Sequence, residues 1–147
     1  MRRAGVVLAA VLTAVVVNPA AYALGRLAGG DFTFTREGEA MTVDAVTVAG
    51  FSAVPLGLGL TVVALLVGRV PRIATVASVV AAALAVATIG LMTLPVDLDA
   101  VSTVALAACH LTLVPISLVA IRRLNAAAAS EAHSRPAASA GTGRPAW

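Results

Sequence analysis

Between Ala100 and Ile121 the chain reads AVSTVALAACHLTLVPISLVAI, twenty-two residues without a formal charge, closed by Asp99 before and Arg122-Arg123 after. At ~1.5 Å per residue such a run extends about 33 Å as a helix, enough to cross a hydrocarbon core of ~30 Å. Three further stretches share the property, roughly residues 4–24, 45–67 and 73–94. Lipid offers no partner to a backbone N–H or C=O, and four segments are too few to close a barrel, so each is read as a helix. Composition agrees. Of 147 residues, 60% are hydrophobic and 12% charged, against about 25% charged in ordinary soluble domains. The expected fold is an all-α membrane protein, a four-transmembrane-helix up-down bundle over residues 1–123. Residues 124–147, rich in Ala, Ser, Pro and Gly, read as a disordered cytoplasmic tail, apart from a helical extension through the alanines.

Arginines orient the bundle. All ten basic residues are arginine. Arg2 and Arg3 precede the first span, Arg69 and Arg72 join the second to the third, and Arg122 and Arg123 follow the fourth. With alternating helices these share one side, while the other side holds Arg26 and Arg36 with most of the acids. Positive charge near span ends marks the cytoplasmic face, so both termini are expected in the cytoplasm of a bacterial plasma membrane. The first span also admits a secretory-signal reading, with Arg2-Arg3, an apolar core and the small-residue stretch AYA at Ala21–Ala23. The high basicity follows arginine usage and carries no nucleic-acid inference.

Between the first two spans, GGDFTFTREGEAMTVD (Gly29–Asp44) alternates aromatic and hydroxyl residues around a turn-like REGE. This reads as a small outer β-hairpin, or as an irregular loop with Phe32 and Phe34 dipping into the interface. Ala77, Ala81 and Ala85 recur every four residues along the third span. Such small residues let helices approach closely, either within the monomer or against a second copy or another membrane partner. Asp44 and Asp99 open the second and fourth spans and suit helix N-caps, with cation or proton access as the rival role.

The candidate intramembrane polar site is Asn18, Pro55, His110 and Pro115. His110 follows Asp99 by eleven positions, hence lies about 16 Å below the outer interface, and Pro55 follows Asp44 by the same interval. Asn18 runs the opposite way and approaches the same surface. These residues are expected to share one interior layer, with imidazole and amide serving the carbonyls that Pro19, Pro55 and Pro115 leave free at Val15, Phe51 and Leu111. A neutral histidine there is interhelical glue, a permeation element or a ligand for metal or haem; the lack of a second span histidine weighs against haem. The lone Cys109 excludes an internal disulfide, and its side chain points about 100° away from that of His110. No carboxylate pair, nucleophile–base set, phosphate-binding loop or dinucleotide turn is legible, so neither an enzyme nor a cofactor is expected.

VVVNPAAYALGRLAGGDF (Val15–Phe32) and ALAACHLTLVPISLVAIRRL (Ala105–Leu124) resemble a family of small four-helix actinobacterial integral membrane proteins catalogued as a domain of unknown function. The resemblance rests on Asn18, Tyr22, Gly25 and Gly30 in the first half and His110, Pro115 and Arg122 in the last helix, with Pro19 a departure. It implies an integral membrane protein and no particular activity. The reading is therefore a structural or accessory membrane component in contact with lipid. The alternative is a small-solute or ion permeation subunit built on the His110 layer.

Overall fold

A computed structural model describes residues 2–134. Its elements run α1 (Arg3–Leu27), β1 (Thr33–Arg36), β2 (Glu39–Thr42), α2 (Ala45–Leu66), α3 (Ile73–Thr88, widened into one π turn over Ile89–Thr93) and α4 (Ala100–His133). All four helices are long and apolar enough to span a membrane. Pro19, Pro55 and Pro115 lie inside α1, α2 and α4 without ending them. In hydrocarbon the cost of breaking the helix exceeds that of one missing N–H.

The segment after α1 is the hairpin. Thr33 pairs with Thr42 and Arg36 with Glu39 in an antiparallel register. Glu37 and Gly38 make the turn with φ of 55° and 84°, the doubly positive combination whose twist matches the flanking strands.

α4 is the pivot of the bundle. It packs against each of the other helices, and α1 packs against both α2 and α4, while α3 leans chiefly on α4. The core therefore belongs to three helices: Val6, Ala10 and Ala14 of α1; Leu56, Leu60 and Val63 of α2, with Val67 just past its end; and Ala120, Ile121, Leu124 and Ala128 of α4. The buried residues of α1 recur every fourth position from Val6 to Asn18, keeping one narrow stripe inward. In α3, Ala85 is buried and Ala77 packs on the core cluster, while Ala81 between them is half-buried.

One boundary moves. The last helix does not stop near Ile121 but continues to His133. Leu124 and Ala128 lie on the same face as Ile121 and are buried at 0% and 8% exposure, which gives the extension a reason to stay wound. Arg3 adds a clasp. Its guanidinium donates to the Ala64 carbonyl at 2.9 Å and the Val67 carbonyl at 3.2 Å, and pairs with Glu131 at 2.6 Å. The expected tail is thus helical through His133; residues 135–147 lie outside the described residues.

Candidate functional site

Asn18 sits in the half of the bundle nearer the hairpin, 1% exposed. It follows Ala14 on the inward stripe of α1, so the same spacing that packs the inner core delivers an amide to the bundle axis. Its Nδ2 donates to Ser52 Oγ at 2.7 Å and to the Cys109 carbonyl at 3.1 Å, and its Oδ1 accepts from the Thr112 hydroxyl. Ser52 passes its own proton to the Val48 carbonyl at 2.7 Å. The Cys109 thiol donates to the Asn18 carbonyl at 3.5 Å. Three helices are stitched together around one side chain, and both amide protons are used.

His110 does not join this layer. Cys109 holds the inward position on α4, and the next residue is turned about 100° from it, toward α3. There the imidazole is half-buried, with Nδ1 3.3 Å from Thr88 Oγ1. Thr88 has one hydroxyl proton, and its Oγ1 already lies 2.8 and 3.0 Å from the Leu84 and Ala85 carbonyls, which accept it. The pair is therefore best made with Nδ1 protonated and donating, which leaves Nε2 as an acceptor. Thr88 is the last residue before the π turn. A widened turn of this kind re-aims side chains locally.

Pro55 and Pro115 also stand apart: both are exposed on the outer surface of the bundle. Pro55 directly precedes the buried Leu56, so the inward face of α2 passes it by. The expected Asn18–Pro55–His110 cluster is thus replaced by Asn18, Ser52, Cys109 and Thr112 on one side of α4 and a separate His110–Thr88 pair on the other. Asn18 and His110 serve Ser52, the Cys109 carbonyl and Thr88, in place of the carbonyls freed by proline. The side chains of Asn18 and His110 point to different neighbours. Among the described residues, no group of three metal-ligating side chains converges.

A second constellation closes the hairpin end of the bundle. Phe32 is 0% exposed although it sits in a connecting loop, and its φ is 56°. A bulky residue in the left-handed region costs about 1–2 kcal/mol and persists only where its surroundings hold it. Here they do. Its N–H donates to Ser102 Oγ at 2.9 Å, and its carbonyl accepts from Val43 N–H at 2.9 Å. The ring packs on Tyr22 with centroids 4.5 Å apart. A Cβ on Gly25 would come within 2.7 Å of both the Phe32 ring and the Ala105 Cβ, and one on Gly30 within 2.9 Å of Ser102 Oγ. Those glycines make room for the plug.

Asp99 anchors it from below. One carboxylate oxygen accepts from the Val101 and Ser102 N–H groups at 2.8 and 2.9 Å; the other accepts from the Ser102 hydroxyl and from Asp31 N–H at 3.1 Å. Asp97 accepts from Thr35 N–H at 2.7 Å, tying β1 to the turn before α4. Arg26 closes the loop by donating to the Asp31 carbonyl at 2.7 Å. Asp44 caps α2 through Thr47 N–H at 2.7 Å. These donors hold all three aspartates below the ordinary carboxylate range: the Ser102 hydroxyl and N–H foremost for Asp99, Thr35 for Asp97 and Thr47 for Asp44.

Sequence reasoning missed Ser102, Ser52, Thr112 and Thr88, and the full burial of Phe32. Some of the signal was present. Ser102, Cys109 and Ser117 are spaced by seven and eight residues and all are buried, a small-residue seam along α4. Asp99 three residues before Ser102 is a capping pattern with a second hydroxyl in reach.

Four helices long and apolar enough to cross a membrane, a polar layer sealed between three of them and a lidded hairpin end are the features of a multi-pass membrane protein. The chain belongs to the Family of unknown function (DUF6069), whose family model matches residues 1–128. Neither the curated proteins nor the solved structures contain a match to this chain.

Proposed function

We propose that this protein is a structural or accessory component of the bacterial plasma membrane, without catalysis, with both termini in the cytoplasm. The observation that carries the reading is the closure of the polar layer. Asn18 is 1% exposed, and its amide contacts come from Ser52, Cys109 and Thr112 of the same chain. A permeation path needs polar groups that face water or exchange partners with a solute; these face one another. The plug at Phe32 argues the same way, since it fills the outer end of the bundle with a ring. Any association through α3 then uses its lipid-facing side, because Ala77 and Ala85 are engaged within the monomer.

Orientation rests on the six arginines that flank the apolar spans on one side, Arg122 and Arg123 lying within α4, against Arg26 and Arg36 opposite. Reporter fusions at both termini are expected to report the cytoplasm. Purified protein in liposomes is expected to pass no proton, alkali cation or small neutral solute above empty vesicles between pH 5 and 8. Flux that His110→Ala abolishes would replace the accessory role with the permeation subunit.

A further inference from the structure

A groove of about 340 Å³ runs along the lipid-facing seam between α1 and α4. Ala9 and Thr13 form one wall, Pro115 and Val119 the other, the core residues Ala10 and Ala120 lie at the base, and Arg123 stands at its end. From Pro115 to Arg123 the trough is about 12 Å long at 1.5 Å per residue. It exists because alanines on both helices leave a gap that a larger side chain would fill.

We infer that this groove seats one anionic phospholipid, an acyl chain lying along its walls and the headgroup phosphate on Arg123. Two observations meet here. Apart from Thr13, whose hydroxyl is turned back onto the Ala9 carbonyl at 2.8 Å, the walls are apolar, and the groove opens along the seam, so the medium that fills it is acyl chain. The guanidinium at the mouth is a planar fork suited to phosphate oxygens. Among the described residues it makes neither a hydrogen bond nor an ion pair, whereas neighbouring Arg3 is committed to Ala64, Val67 and Glu131. Arg122 beside it repels the cationic group of a zwitterionic headgroup, so net negative charge is selected. The assignment is independent of the accessory role and of which leaflet that end faces.

The test is native mass spectrometry of the full chain in neutral detergent, titrated with phosphatidylglycerol or with phosphatidylcholine of identical chains. One phosphatidylglycerol is expected to be retained at concentrations where phosphatidylcholine is not. Arg123→Gln weakens that retention about fivefold, the weight of one cation at an anionic surface, and Arg122→Gln, of equal charge change, weakens it less. Ala9→Leu and Val119→Phe, which fill the groove from opposite walls, also lower retention while helicity and thermal midpoint stay at the wild-type value. Equal retention of the two lipids overturns the assignment. So do equal effects of the two arginine substitutions, or groove-filling variants that bind as wild type. A lipid-free dimer that Ala9→Leu dissociates gives the groove to a second copy, and overturns it as well.

Discussion

The two ends of this bundle are held by different physics. At the hairpin end, Asp99, Ser102, Phe32 and Asn18 engage through directional hydrogen bonds and one strained, buried aromatic. At the arginine-rich end, Val6, Ala10, Leu60, Val67, Leu124 and Ala128 pack by shape, and the polar contribution is the Arg3 clasp. Hydrogen bonds define a unique register because each donor has one place to go. Small-residue packing allows close approach but permits sliding. The lid thus acts as the register mark, and the alanine-rich half supplies contact area. Inside a membrane that division is economical, since helices gain nothing from excluding water from one another.

The largest effect tests the lid against the core. Phe32→Ala empties a fully buried ring site and is expected to cost about 3–5 kcal/mol in reversible unfolding from mixed micelles. Leu124→Ala, at the opposite end, should cost about 2–5 kcal/mol. The contrast lies in the hairpin: hydrogen exchange at Thr35 and Met41 should accelerate in the first variant and stay unchanged in the second. Acceleration in both would merge the two ends into one cooperative unit. Next comes Gly25→Ala, which drives a methyl into Phe32 and Ala105. A loss of about 1–3 kcal/mol is expected, and Phe32→Leu in the same chain should recover part of it if the ring is the obstacle.

A smaller difference separates the two intramembrane polar residues. Asn18→Val breaks bonds to two helices and should lower stability by about 1–2 kcal/mol, whereas His110→Ala, losing one long contact to Thr88, should cost about 0.6 kcal/mol. Equal losses would mean that the imidazole carries more than the Thr88 bond. The smallest effect is acid sensitivity at the hairpin end. Asp97 and Asp99 have folded pKa values below their unfolded ones, so their stabilisation is complete above the unfolded value, near 4. It is lost progressively as pH falls further, through the folded pKa. The thermal midpoint should therefore begin to drop below about pH 4, and the Asp97→Asn, Asp99→Asn double variant should flatten that limb. An unchanged slope would leave the lid without an electrostatic anchor.

These contrasts were unevenly legible. The hairpin was readable because Thr33–Thr42 alternates around a turn signal and projects into water, where polarity patterns carry information. The polar layer was readable in depth alone. Counting from Asp99 and Asp44 puts His110 and Pro55 at the same interval, and Asn18 lies near the end of the first span, yet counting could not say that Cys109 rather than His110 points inward. Phe32 was named as an aromatic that dips into the interface, while its descent into the bundle depends on Gly25, Gly30 and Ser102, residues brought together from both halves of the chain.

From sequence alone came the solvent, the four crossings, the hairpin and the distribution of charge between the two ends. Each follows from local transfer energy, in which a residue's neighbours along the chain suffice. The tertiary structure decided which face of each helix turns inward, that α4 is the pivot while α3 stays peripheral, and that Asn18 and His110 part company. Lipid is as apolar as the protein interior, so valines and leucines surround every helix and leave no periodic mark of the buried side. Only contacts among α1, α2 and α4 break that symmetry.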